Sequence, residues 1–266
     1  MNSLSLPKQS DLFKALSRQT QLVWHLVKRD FILQYKRSFL GVLWSLLLPL
    51  GQLIVLVLVF QKILPLRIEA YPAFLLSALL PWSWFSNCIS TAGGLFIHNR
   101  DLVRRPNFEP AILIIVNVFS NLLLFLVALP ILFIVMLFYG KPFAISICIL
   151  PLLVIVQTML ISGLSLIIAT INTFYSDVQH IVSVGLMMLF FLTPVFYDYS
   201  AIGENFKVLY FINPMASLIQ NYRLIIYGGI FPNLNSMLFL IISSIVACII
   251  GYLVYRSRIE YVIDII

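Results

Sequence analysis

"RDFILQYKRSFLGVLWSLLLPL", residues 29–50, decides what kind of protein this is. Arg29, Asp30, Lys36 and Arg37 crowd its beginning, and no charged side chain follows them as far as Leu50. Trp44 stands just past the changeover, with Gly41 and Pro49 on either side. A basic stretch running straight into an apolar one is the profile of a membrane surface. Lys and Arg stay at headgroup level, and Trp favours the boundary.

The rest of the chain carries the same signature. Of its 266 residues, 61% are hydrophobic and 10% are charged, and its mean hydropathy is +1.03. Soluble domains run to about 45–50% apolar and roughly 25% charged residues, so the solvent here must be lipid. The net charge of +7 does not point to nucleic acid, because the basic residues flank apolar spans rather than cluster on a soluble domain. Cys88, Cys148 and Cys248 lie far apart inside apolar stretches and read as small buried hydrophobes, not as a disulfide framework. The polar N-terminal tail leads into an apolar run that is too long, and lacks the small-residue site, for a cleaved signal peptide.

Six segments are long enough to cross a hydrocarbon core of about 30 Å. They lie near 39–61, 71–96, 111–139, 143–173, 179–197 and 234–255, and none contains Asp, Glu, Lys or Arg. The expected fold is therefore an all-α integral membrane protein with six transmembrane helices. A cytoplasmic tail (1–38) precedes a six-span transmembrane domain (39–266).

Charge asymmetry sets the orientation. Lys8, Lys14, Arg18, Lys28, Arg29, Lys36, Arg37, Arg100, Arg104, Arg105, Arg256 and Arg258 fall on one side of the six-span scheme. Lys62, Arg67, Lys141, Lys207 and Arg223 fall on the other. The richer side is the cytoplasm, so both termini are expected there.

Two segments fit neither loop nor span. In the tail, Lys14, Arg18, Gln21, His25 and Arg29 share one helical face, and Leu12, Leu16, Val23 and Val27 share the opposite one. A basic amphipathic helix of this kind lies in the membrane interface. The stretch 198–233 is broken by Asn213-Pro214 and Gly228-Gly229, too polar to span and too apolar for an aqueous loop. It reads either as an outer helical hairpin dipping into the bilayer, with the Asn-Pro turn between its helices, or as a helix pair lying on the surface. Irregular backbone at depth requires surrounding protein or a water-filled path.

Enzyme signatures are missing. The spans hold Gln52, Asn87, Asn117, Asn121, Gln157 and Asn172 but no carboxylate or Lys. Such amides glue helices together more often than they bind substrate. His25, His98 and His180 have no metal-ligand spacing. GxSxG, HExxH and the nucleotide-cradling G-x-x-x-x-G-K-[ST] are absent, since Gly140-Lys141 runs into Pro142. Aromatics are the enriched chemistry: Trp82, Trp84 and Phe85 in the second span, and Phe190, Phe191, Phe196 and Tyr197 in the fifth. They serve either as interface anchors or as the wall of a passage along which sugar rings slide.

Four stretches in order resemble one family, the permease subunits of ABC-2 type polysaccharide exporters, across essentially the whole chain. Residues 29–50 resemble the family's RD…Y-K/R-x-S-x-L-G-x-L-W…P lead-in to the first span. "NRDLVRRPNFEPAILII" (99–115) is similar to its basic turn into span three. "NTFYSDVQHIVSVGLMMLFFLTPVFY" (172–197) is similar to its link into span five, and "NPMASLIQNYRLIIYGG" (213–229) to its outer hairpin. One departure is Ser176, where the family often has Arg.

The resemblance implies a permease that exports an undecaprenyl pyrophosphate-linked polysaccharide, such as O-antigen or capsule, across the inner membrane. It implies a second copy of the chain and two separate ATP-binding subunits, with no cofactor in this chain. Arg29, Lys36 and Arg37 would sit at the substrate's headgroup. Residues 97–108, with Arg100, Asp101, Arg104 and Arg105, would form a coupling helix docked on the ATPase. Spans one and five would border the channel. The alternatives are an ABC-2 permease for a small lipid or drug, and a polyprenyl-phosphate transferase using Asp101 or Asp177.

Overall fold

The computed structural model describes residues 20–30, 32, 43–64, 66–106, 108–201, 203, 210 and 212–266. Every regular element among them is helical. Helix α1 covers 20–30. It is followed by α2 (Leu43–Val57), which continues as a π-helix through Ile63, and by α3 (Tyr71–Ala92). Two single turns, α4 (Leu95–His98) and α5 (Arg100–Val103), lead to α6 (Ala111–Phe138). Then come α7 (Leu150–Phe174), α8 (Asp177–Leu192), α9 (Pro214–Ile226) and α10 (Leu234–Ile265).

Four helical stretches are long and apolar enough to cross a membrane: Leu46–Ile63, Ala111–Phe138, Ile145–Phe174 and Leu234–Ile265. Two of the six expected spans behave differently. Helix α3 has the length, at 22 residues, but Ser83, Ser86, Asn87, Ser90 and Thr91 lower its apolarity. Helix α8 has 16 residues, about 24 Å at 1.5 Å per residue, because Thr193 is extended ahead of Pro194.

α3 is the hub. It contacts α2, α6, α7, α8 and α9, and Phe74, Leu75, Leu76, Ala78 and Leu79 along it are almost wholly buried. Pro81 interrupts its hydrogen-bond ladder. The Gln157 side-chain amide donates to the Pro81 carbonyl at 2.8 Å, tying α7 to the same point. Gln157 is thus glue, as most deep amides are.

The broadest helix contact joins α7 and α10, and glycine permits it. A Cβ on Gly163 would overlap the Ala247 carbonyl, and one on Gly251 would overlap the Gly163 carbonyl. Lipid tails are as apolar as Leu, so helices in a membrane gain little by burying Leu. Close backbone approach through small residues replaces that drive.

Residues 198–233 are described in part. Their one fully described α-helix, α9, is wedged among α3, α7 and α10, with Met215, Leu218, Ile219, Tyr222, Ile225 and Ile226 buried. Asn213 starts it by accepting a hydrogen bond from the Met215 N–H at 3.0 Å, and Pro214 follows at the first helical position. Residues 202, 204–209 and 211, where the other helix of the expected hairpin would lie, are outside the described residues.

Candidate functional site

Leu26 and Val27 of α1 pack on Ile112 and Val116 of α6, while His25, Lys28 and Arg29 are exposed. Arg29 reaches back to Asp30 through its Nε and a terminal nitrogen, at 3.0 and 2.8 Å. Both side chains are 42% exposed. An ion pair so open to solvent is worth about 0–1 kcal/mol. Lys36 and Arg37 lie outside the described residues.

The expected coupling helix is not continuous. Asn99 leaves helical geometry between α4 and α5, and its side chain donates to the Leu95 carbonyl at 2.9 Å, so the segment folds as two turns. Phe96 and Val103 anchor it. Arg100, Asp101, Arg104 and Arg105 are all exposed. The far end of α10 braces the loop that follows: the Tyr255 hydroxyl donates to the Glu109 carboxylate and accepts from the Ala111 N–H at 3.3 Å. These contacts gather the basic residues 100–105 and 256–258 at one end of the bundle.

Of the seven aromatics singled out in sequence, six form one connected array. Trp82 meets Phe85 and, across on α8, Phe190, each at 5.6 Å between ring centres. Phe190 continues to Phe191 and Phe196, Phe196 to Tyr197, and Tyr197 to Tyr210. Phe60, from the end of α2, stacks on Phe196 at 5.1 Å. Phe60 and Tyr210 could not be picked out in the sequence, because nothing local distinguishes them from ordinary anchors. Trp84 belongs elsewhere. It lies on the other side of α3, stacked on Phe125 and donating its indole N–H to the Val118 carbonyl at 3.3 Å.

The segment after α8 is held by a cation. Arg223 of α9 is buried and donates to the carbonyls of Val195 at 2.9 Å and Tyr197 at 3.2 Å. Burial pushes its pKa down to about 10, opposed chiefly by Asp198, so it stays charged at neutral pH. Tyr71 donates to the intervening Phe196 carbonyl at 2.8 Å. Three successive carbonyls are thus satisfied by side chains where the backbone has left the helix, as low-dielectric surroundings demand. In the sequence Arg223 reads as an outer-loop cation. Its neighbourhood in Asn-Tyr-Arg at helical spacing gave no sign of burial.

A cavity of about 650 Å³ opens between α2, α3 and α6. Ser83, Ser86, Asn87, Ser90 and Thr91 line it from α3, Asn117, Ser120 and Asn121 from α6, and Trp44 and Gln52 from α2. The α3 stripe from Ser83 to Thr91 is about 12 Å long. Asn117 and Asn121 are committed to the helix junction: Asn117 donates to the Cys88 carbonyl at 3.1 Å and accepts from Thr91 and Asn121. The expectation that these amides act as glue fits Asn117 and Asn121, whereas Gln52 and Asn87 line the cavity with no side-chain hydrogen bond among the described residues. At the array end of the cavity stands Trp82; at the basic end stand Asp30 and Asn99. Among the described residues no group of His, Cys, Asp and Glu could hold a metal ion, and Asp101 and Asp177 are both exposed.

The comparisons agree with this architecture. The family described as "ABC-2 type transporter" matches residues 21–227. The chain is 32% identical to the O-antigen export system permease protein RfbA of Myxococcus xanthus, over 94% of this chain and 96% of that one. It is 29% identical to the protein of that name from Klebsiella pneumoniae, over 87% and 90%. It is 23% identical to the polysialic acid transport protein KpsM of Escherichia coli, over 87% and 91%. A helical membrane bundle with a basic end, an aromatic array and full-length likeness to such permeases belongs to the ABC-2 type transporter family.

Proposed function

We propose that this chain is the permease subunit of an ABC transporter that exports a polyprenyl pyrophosphate-linked polysaccharide across the inner membrane. The observation that carries this reading is the connected array Trp82–Phe190–Phe196–Tyr197–Tyr210. Aromatic faces pack on the C–H faces of sugar rings through weakly directional contacts, so a chain held this way can still slide. The relatives carry names for O-antigen export and polysialic acid transport, which supports the same substrate class.

In this reading α3 is the second of the six spans and α8 the fifth, each shortened or made polar because it faces protein and water rather than lipid. The basic end is cytoplasmic, with both termini there. Residues 100–105 dock on a separate ATP-binding subunit, and Arg29, Lys36 and Arg37 meet the pyrophosphate. A second copy completes the passage. Ile181, Val184, Met187, Met188 and Phe191 on α8 are all exposed in one chain, which leaves that helix a face to offer.

Reconstitution tests the reading. Vesicles containing the chain alone should hydrolyse no ATP, and those containing the chain with its ATP-binding subunit should move lipid-linked glycan in an ATP-dependent way. Hydrolysis by the purified chain alone, or an assembled complex indifferent to lipid-linked glycan, overturns it.

A further inference from the structure

The cavity between α2, α3 and α6 meets the aromatic array only at Trp82, and the array's packing does not explain its lining. We propose that it is a binding site for uncharged sugar units close to the lipid anchor, separate from any site for the pyrophosphate. The proposal rests on the export reading and deepens it.

The lining chemistry makes the case. Among the described residues Asp30 is the one charged residue bordering the cavity, and it is paired with Arg29 at 2.8 Å. A phosphate accepts hydrogen bonds and seeks cations, so a carboxylate at the mouth and no cation among the described lining residues is a poor match. A hydrocarbon tail fits no better. The Ser120 hydroxyl is buried without a partner, and the amides of Gln52 and Asn87 make no hydrogen bond among the described residues. Lipid would leave all three unsatisfied. Sugar hydroxyls both donate and accept, as do side-chain amides and Ser hydroxyls.

Size and position agree. A volume of about 650 Å³ lies within the roughly 300–1,000 Å³ typical of small-molecule pockets, enough for a short run of pyranose rings. Trp44, 54% exposed, borders the space and offers its face to the sugars' C–H surfaces, and the largely buried Trp82 borders it too. Trp82 also touches Phe190, so a glycan leaving the cavity meets the array without crossing lipid.

The test uses the assembled transporter and two probes: polyprenyl pyrophosphate bearing a short neutral oligosaccharide, and polyprenyl pyrophosphate alone. Asn87→Leu combined with Gln52→Leu should raise the half-stimulating concentration of the sugar-bearing probe about tenfold, equivalent to roughly 1.4 kcal/mol. The response to the sugar-free probe and the basal ATPase should be unchanged, which also certifies folding. Asn87→Gln alone should stay close to wild type. In a second assay, Ser86→Cys in a Cys148→Ser background should react with a membrane-impermeant thiol reagent and be protected by the sugar-bearing probe only. Equal loss of both probe responses, an unchanged double variant, or unprotected Ser86→Cys each overturns the sugar site while leaving the export reading in place. A wild-type complex deaf to the sugar-bearing probe overturns both.

Discussion

The guanidinium of Arg223 lies 3.7 Å from the centre of the Phe74 ring. Among the described residues it is the one buried charge. Phe74 supplies a π face, and the carbonyls of Val195 and Tyr197 accept its protons. A ring and two carbonyls replace the water this cation would otherwise hold. The contact joins α3, α9 and the segment after α8, which carries Phe196 and Tyr197 into the array.

Arg223→Lys keeps the charge but cannot reach both carbonyls in a fork. Losing one charged hydrogen bond costs about 1.5–3 kcal/mol, so the detergent-solubilised protein should melt earlier and lose transport of long glycans. Arg223→Met orphans both carbonyls and should be worse than Arg223→Lys. Equal melting of Arg223→Met and wild type would remove the brace from the account.

Gly163→Ala should disrupt the α7–α10 crossing, because its Cβ overlaps backbone rather than the tip of a flexible side chain. Overpacking of this kind costs about 1–3 kcal/mol or more. Gly51→Ala on α2 is the matched control, since nothing described lies within 4 Å of its Cβ. Helix propensity there favours Ala by up to about 1 kcal/mol. Thermal melts of the two variants should move in opposite directions.

Gly93, between α3 and α4, is roofed by the α7–α8 link. Asn172 donates to its carbonyl at 2.9 Å, Gln179 donates to the Ser90 carbonyl at 2.5 Å, and a Cβ on Gly93 would overlap the Gln179 side-chain oxygen. Gly93→Ala should therefore destabilise the protein, and Gln179→Ala should relieve much of that effect in the double variant. A double-mutant cycle showing simple additivity would mean the two sites do not touch energetically.

Arg104→Glu with Arg105→Glu should preserve membrane insertion and monodispersity, since both side chains are exposed. It should separate ATP hydrolysis from glycan movement in the assembled complex. Tyr255→Phe removes the hydrogen bonds to Glu109 and Ala111 and should weaken coupling in the same direction, less severely. Normal transport by the double Glu variant would mean that this turn does not dock on the ATPase.

Phe191→Ala and Trp84→Ala should part company. Phe191 is 61% exposed in the single chain and touches the array, so its loss should slow transport of long glycans and spare expression. Trp84 is packed on α6, and its truncation should cost about 3–5 kcal/mol, as for other core aromatics. Expression and transport should then fall together. Comparing yield with transport per molecule separates the two outcomes.

Much of this was legible in residue order. The membrane class follows from composition, and the amphipathic face of α1 from spacing, since Val23 and Val27 recur where the packed side must be. The Asn213-Pro214 pair marks where α9 starts because proline's backbone limits are local, whereas the expected fifth span ran on to 197 and α8 stops at Leu192, ahead of Pro194. The split of the coupling segment at Asn99 was not legible. It depends on a side-chain bond to Leu95 in competition with the helix.

The sequence by itself determined the lipid solvent, the basic end and the aromatic enrichment, since each is a property of residue type and local periodicity. Only the tertiary structure decided that Trp82 joins Phe190 while Trp84 turns to Phe125. It also decided that Arg223 is buried, and that Asn87 and Gln52 face one cavity while Gln157 is tied to Pro81. A helix presents side chains in every direction, and which of them meets a neighbour, a cavity or lipid is fixed by crossings between segments distant in the chain.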